Sequence, residues 1–242
     1  MPDEVLGGAE GRPVGRRIVL GLLGLGALGI VGGDPLQRGL SAVLGPLQAR
    51  DPTGLVALFP TGNTFRYYSV TGSVAERGPR DYRLTVTGLV RQPGTHTLAE
   101  LQAMPQTELV RDFQCVTGWR VPDVPWAGVR LGHLLDLAGP TDQATAVRFT
   151  SFDGTYTESL TLEQARRDDV LVALRMQDGP VTHHHGGPAR LYVAPMYGYK
   201  SLKWLSGIEL TSRVQPGYWE GSGYSVDGWV GSSNGRDDDP TG

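Results

Sequence analysis

Cysteine is the scarcest of the chemically informative residues: the 242-residue chain has one, Cys115. A single cysteine makes no internal disulfide, no cysteine-rich zinc site, no four-cysteine iron–sulfur cluster and no Cys-x-x-Cys-His haem attachment. Histidine is sparse too, with five, three of them adjacent at His183, His184 and His185. Charge of one sign is missing: 22 Lys and Arg against 25 Asp and Glu leave a net −3, which supplies no general attraction to nucleic acid or acidic lipid. Internal repeats are absent. Glycine is the excess, at 35 residues, roughly twice the average share. It has no three-residue period, which excludes collagen and favours a loop-rich, strand-rich body. Hydrophobic residues at 39% and aromatics at 8%, spread along the chain, specify a globular protein. The length allows one large domain or two small ones.

In residues 1–33, Arg16-Arg17 precede an apolar, glycine-rich stretch from Ile18 to Gly33. A basic pair before an apolar run is the layout of an export signal, and adjacent arginines suit the twin-arginine route. The stretch is shorter than the about 20 residues of a spanning helix, and no small-x-small cleavage site follows. A retained membrane anchor and a buried glycine-rich helix stay open beside the signal. Residues 34–60, with prolines at 35, 46, 52 and 60, are expected to be a linker. Residues 61–231 are the expected folded domain and 232–242 an expected disordered acidic tail.

Within the domain, Tyr82, Leu84 and Val86 alternate with Arg83, Thr85 and Thr87 as in a half-buried strand. Gln92-Pro93-Gly94 turns the chain, and Thr97-Leu98-Ala99-Glu100 is a capping-box pattern opening a short helix that stops at Pro105. Leu109 to Cys115 is expected as a strand and Trp126 to Ala138 as an apolar turn running into a helix. Val147 to Phe152 and Thr155 to Leu160 form an expected hairpin about Asp153-Gly154. A second capping box, Thr161 to Gln164, precedes strands at 170–174, 191–194 and 208–210. Short strands and helices without a regular βαβ rhythm specify an α+β fold.

Cys115 ends its strand in Asp112-Phe113-Gln114-Cys115-Val116-Thr117-Gly118-Trp119-Arg120. A lone cysteine is ordinarily a small buried hydrophobe, but Arg120 nearby favours a thiolate. A nucleophile with a histidine base and a thiolate ligand for one soft metal both stay open. Arg190, Lys200 and Lys203 are flanked by Gly186-Gly187 and Gly198 and interleaved with Tyr192, Tyr197, Tyr199 and Trp204. With Arg66 they point to a phosphate or other anion, because aromatics bury while the cations among them need partners. Three adjacent histidines on a strand cannot all face one metal, so a zinc site needs His183, His185 and a distant third ligand. His185, before the double glycine, is expected instead to hydrogen-bond a bound ligand.

Four of these segments together resemble the molybdopterin-binding domain of the sulfite oxidase family. They are Asp112 to Gly118; Val124-Pro125-Trp126-Ala127-Gly128-Val129 leading to Leu131 to Gly139; His185-Gly186-Gly187-Pro188-Ala189-Arg190; and Tyr197-Gly198-Tyr199-Lys200-Ser201-Leu202-Lys203-Trp204. Spaced motifs in one order make the resemblance specific over roughly residues 60–230. It is nearest to the bacterial exported single-domain members, which include the catalytic subunit of the periplasmic methionine sulfoxide reductase. The resemblance implies mixed β-sheets with short peripheral helices, and makes 61–231 the molybdopterin-binding catalytic domain. It further implies a mononuclear molybdenum held by the dithiolene of one pyranopterin and by one protein thiolate, at the position of Cys115. By the same resemblance His185 and Arg190 contact the pterin and its phosphate, and Ser201, Leu202 and Lys203 wrap the phosphate. Asn63, Arg66 and Tyr67 stand in an early cofactor-binding segment, and Thr150 matches a further pterin contact. Trp119, Arg120 and Tyr197 are the candidate substrate mouth, where Arg120 would hold an anionic substrate or a developing oxyanion.

The implied activity is two-electron oxygen-atom transfer to or from a small substrate such as a sulfoxide, an N-oxide or sulfite. No haem, iron–sulfur cluster or flavin is expected in the chain, and no nucleic-acid partner. Electrons then come from or go to a separate protein, with a membrane haem subunit as the candidate. The expected location is extracytoplasmic or periplasmic, with residues 16–33 as the membrane attachment. The chain passes through Gly217-Tyr218-Trp219-Glu220 and Gly228-Trp229 and is expected to lack the haem and immunoglobulin-like domains of animal sulfite oxidase, so sulfite is not implied as substrate. Two other readings are a non-catalytic exported binding module that keeps the fold, and a cysteine hydrolase using Cys115 with His133 or His185.

Overall fold

The computed structural model describes residues 65, 69–72, 74–116 and 120–231. The chain runs β1 (Arg83–Gly88), β2 (Gly94–Thr97), α1 (Leu98–Ala103), β3 (Gln106–Gln114), β4 (Arg120–Arg130), α2 (Leu131–Ala138), β5 (Ala146–Ser151), β6 (Thr157–Thr161), α3 (Leu162–Ala165), β7 (Val170–Met176), β8 (Gly179–Pro180), β9 (Arg190–Val193) and β10 (Leu205–Thr211). One sheet has the order β2-β1-β10-β5-β6, with β1 and β10 parallel and its other pairs antiparallel. The second follows β3-β4-β7-β8, and β9 pairs with β7. Mixed sheets with few short helices make the fold α+β.

Local chemistry starts the short helices. Thr97 Oγ1 accepts from the Glu100 amide at 3.2 Å while Glu100 accepts from the Thr97 amide at 2.7 Å, closing the capping box before α1. Thr161 and Gln164 repeat this before α3, at 3.0 and 2.9 Å. The Asp153 carboxylate turns β5 into β6 by accepting from the Thr155 and Tyr156 amides, both at 2.8 Å.

The core explains why β7 is an unbroken apolar run rather than an alternating one. Val170, Val172 and Leu174 join the main core, whereas Leu171 and Ala173 pack on the opposite face with Trp126 and Tyr192. A strand buried on both faces has no polar side to display.

Two expectations are corrected. Trp126 to Arg130 is not a turn but the end of β4, an 11-residue strand. Pro122 and Pro125 concealed it, because proline weakens any ladder it enters; Pro125 lies between Val110 on β3 and a turn where the Gln177 amide donates to its carbonyl. His183 to His185 form a 3-10 turn, not a strand. Among the described residues no helix is long and apolar enough to cross a membrane. The segments 1–33, 34–60 and 232–242 lie outside the described residues.

Gly128, paired with Ala173 across β4 and β7, has its backbone against that of β7: a Cβ there would stand 2.1 Å from the Val172 carbonyl oxygen. Gly128→Ala is expected to lower stability by about 1–3 kcal/mol, read as a fall in the thermal midpoint; an unchanged midpoint would contradict this packing.

Candidate functional site

The exit of β3, the β5–β6 turn and the loops at 183–190 and 198–204 border a cavity of about 530 Å³. Cys115, directly after β3, lines it and is half-buried. Gln114 fixes this exit: its carbonyl accepts from the Gly198 amide at 2.7 Å, and its side-chain amide donates to the Cys115 carbonyl at 3.1 Å. The approach requires glycine at 198, where a Cβ would lie 2.4 Å from the Phe113 ring.

Arg190 opens β9 and lines the same cavity with 3% of its surface exposed. Its guanidinium donates to the carbonyls of His185 and Ser201, each at 2.8 Å, and stands 5.4 Å from the centroid of Phe113 and 5.6 Å from that of Trp126. Burial draws it down to about 10. Lys203 sits 4.4 Å over the Trp204 ring. Burial, and then the charge of Arg190, draws its ammonium down to about 7, with Asp153 pulling the other way. Gly186, at φ +97°, lets the loops close: a Cβ on it would be 2.5 Å from Lys203 Cβ. Burial and the neighbouring Arg190, Lys203 and His184 charges hold His185 below its usual value. Ser201 Oγ accepts from the Val193 amide at 3.0 Å, and Trp204, at φ +54°, donates to the His183 carbonyl at 3.0 Å.

Cys115, His185, Arg190, Ser201, Leu202 and Lys203 thus share one cavity. Three other candidates do not line it. Arg120 donates to Gln114 Oε1 at 2.6 Å and pairs with Asp112 at 3.5 Å. Tyr197 is buried with Tyr199 and Val230, its amide donating to the Gly228 carbonyl at 2.7 Å. Thr150 lies on β5, close enough to Gly207 that a Cβ there would be 2.3 Å from its Oγ1. Asn63, Arg66, Tyr67 and Trp119 fall outside the described residues. Lys200, grouped by sequence with the anion-binding cations, is fully buried against Glu158 and Glu220 instead. His133 lies on α2 and does not line the Cys115 cavity. Among the described residues no three His, Cys, Asp or Glu side chains converge on a metal position, so His183 and His185 meet no third ligand there.

Phe65, the aromatic of the expected early cofactor-binding segment, lines the cavity, whereas sequence reasoning missed Asp153, Tyr156, His184, Tyr218 and Tyr224. The aromatic content of 217–224 was a visible signal, without a direction attached to it. A pyranopterin ending in phosphate fits what is present. A soft sulfur donor stands at one place on the cavity wall, and the buried Arg190 and half-buried Lys203, both with depressed affinity for their protons, stand beside glycines that open the backbone to a ligand.

The family model described as the oxidoreductase molybdopterin binding domain matches residues 71–219 of the 242. The chain belongs to this family. It is a molybdopterin-dependent oxidoreductase with the sulfite oxidase-type fold. The uncharacterized oxidoreductase YuiH of Bacillus subtilis is 35% identical over 61% of the chain and 74% of that protein. A putative protein-methionine-sulfoxide reductase subunit, YedZ1, of Azospira oryzae is 31% identical over 76% of the chain and 70% of its own length. The catalytic subunit MsrP of the Campylobacter jejuni protein-methionine-sulfoxide reductase is 28% identical, over 64% of the chain but 57% of that subunit. The sulfane dehydrogenase SoxCD of Paracoccus pantotrophus shares the fold, with a TM-score of 0.56, 22% identity, and coverage of 64% of this chain and 46% of that one.

Because Lys203 falls from 10.5 to about 7 on folding, the unfolded chain holds more protons between those values, so stability must rise with pH across that window. Denaturant unfolding of the cofactor-free protein is expected to show stability increasing from pH 7 to pH 9 and a flatter profile in Lys203→Met; equal slopes would contradict the burial of this ammonium.

Proposed function

We propose that this chain catalyses two-electron oxygen-atom transfer between water and a small organic oxide such as a sulfoxide, with Cys115 as the protein ligand of molybdenum. The convergence of the sole cysteine with the buried Arg190 and the half-buried Lys203 on one cavity carries the reading. When bound, the molybdenum–pyranopterin supplies the oxygen-atom and electron-pair chemistry. Arg190 and Lys203 would hold its phosphate through charge-assisted hydrogen bonds, with Ser201 and Leu202 carrying the loop around it. His185, half-buried beside Arg190, would contact the pterin. Cys115 offers a soft thiolate that a metal keeps deprotonated.

Electrons would be exchanged with a separate protein, for which a membrane haem subunit is the fitting partner; relatives named as subunits support an assembly of more than one chain. Arg16-Arg17 and the apolar stretch to Gly33 support export by the twin-arginine route to an extracytoplasmic location, with that segment either removed or kept as an anchor.

The test is expression in a host that makes the cofactor, followed by metal analysis. One molybdenum per chain is expected, lost in Cys115→Ala, with Arg190→Ala lowering pterin content through loss of contacts worth roughly 1.5–3 kcal/mol. Full molybdenum retention in Cys115→Ala would refute the ligand assignment.

A further inference from the structure

Lys200 lies inside the phosphate loop, yet its side chain turns away from the cavity. The buried ammonium donates to Glu158 Oε1 at 2.5 Å, Glu220 Oε1 at 2.7 Å, the Ser159 carbonyl at 2.9 Å and the Val226 carbonyl at 3.0 Å. β6 and the cofactor loop are thereby tied to residues 217–228, a strap without sheet pairing of its own. The strap is built for this contact. A Cβ at Gly217 would lie 2.7 Å from Glu220 Oε2, and one at Gly228 2.5 Å from Lys200 Cγ. The Tyr218 amide donates to the Thr157 carbonyl at 3.0 Å.

The remaining carboxylate oxygens, Glu158 Oε2 and Glu220 Oε2, are buried with no hydrogen-bond partner. One proton shared between the two carboxyl groups would give each of those oxygens a partner and leave Lys200 and the pair neutral together. Burial and the nearby Glu220 push Glu158 well above the usual carboxylate range, against the pull of Lys200, in keeping with a retained proton.

The strap carries a row of aromatics into the cavity: Tyr218 and Trp219 lie 5.2 Å apart, and Trp219 and Tyr224 5.3 Å apart. Trp219 and Tyr224 pack in one cluster with Val116, the residue after Cys115, whereas Phe113, two residues before it, stands against Arg190. Cys115 therefore sits between the cationic end of the cavity and an uncharged aromatic wall. Such a wall stabilises an apolar body by burial and ring contact and offers no full charge to balance an inorganic oxyanion.

We propose that Trp219 and Tyr224 select substrates bearing an apolar, aryl- or thioether-type body, and that Lys200, Glu158 and Glu220 are positioning residues that clamp this wall beside Cys115. The proposal rests on the reading of Cys115 as the reacting end of the cavity.

The test uses the full chain, with molybdenum content measured first, titrated with methyl phenyl sulfoxide and with dimethyl sulfoxide, while hydrogen exchange is followed over residues 217–228. Trp219→Ala leaves every contact of Lys200 in place. It is expected to weaken methyl phenyl sulfoxide binding about tenfold and dimethyl sulfoxide binding by less than about twofold, with exchange in the strap unchanged. Glu220→Ala is expected to give the same selective loss together with faster exchange in the strap. Glu220→Gln, whose amide donates to Glu158 in place of the shared proton, is expected to match the wild type in both readouts. Equal weakening of both ligands in Trp219→Ala, or wild-type exchange in Glu220→Ala, overturns the proposal. If Glu220→Ala does not fold, Trp219→Ala decides for or against the wall and loss of strap protection in Glu220→Gln would count against the clamp. Wild-type protein that binds no molybdenum contradicts the oxygen-transfer reading, while selective loss in its Trp219→Ala variant still supports the wall.

Discussion

The Arg190 guanidinium holds the site together. It is buried between two loops and bonded to a carbonyl from each, His185 on one side and Ser201 on the other. Burying a cation costs several kcal/mol unless it is well paired, and carbonyl dipoles repay part of that cost while fixing the two loops in one relative position. The position sets the rest: Gly186 must be bare against Lys203, and Trp204, in a left-handed backbone, donates its amide to the Gly186 carbonyl at 2.9 Å. Two like charges beside one cavity are an arrangement that an anion would relieve, so ligand binding and stability are linked through the same two side chains.

Much of the fold was visible in the chain because short-range chemistry decided it. The capping boxes at Thr97 and Thr161 and the Asp153-Gly154 hairpin are local devices, and each formed where its residues stand. β4 was hidden because its prolines argue against a strand, while its pairing with β3 and β7 is long-range. The same distinction runs through the site. Cys115, His185, Arg190 and the 201–203 loop are carried by spaced motifs and meet at one cavity. Lys200 was misassigned because counting cations says nothing about direction: neighbours on a tight loop point to opposite sides, and the carboxylates that receive Lys200 come from distant segments. Arg120 and Tyr197 were chosen for their place in or beside the motifs, but Arg120 is bonded to Gln114 and Tyr197 is buried with Tyr199 and Val230, and neither lines the cavity.

Family membership specifies the cofactor class more tightly than the substrate, since the cofactor carries the difficult chemistry and the protein shapes access to it. In this chain the two tasks fall on different segments. The glycine-containing loops and their cations form one end of the cavity, and the aromatic strap forms another side, with Cys115 where they meet. Lys200 joins them, since it belongs to the loop in sequence and to the strap in its contacts. Changes in the strap can therefore alter what is bound without touching the groups proposed to hold the cofactor.

X-ray absorption at the molybdenum edge tests the central claim most directly, because it counts the sulfur atoms bound to the metal. The account predicts one more sulfur neighbour in the wild-type protein than in Cys115→Ser, prepared with the same pterin content. An identical sulfur count in the two proteins would contradict it.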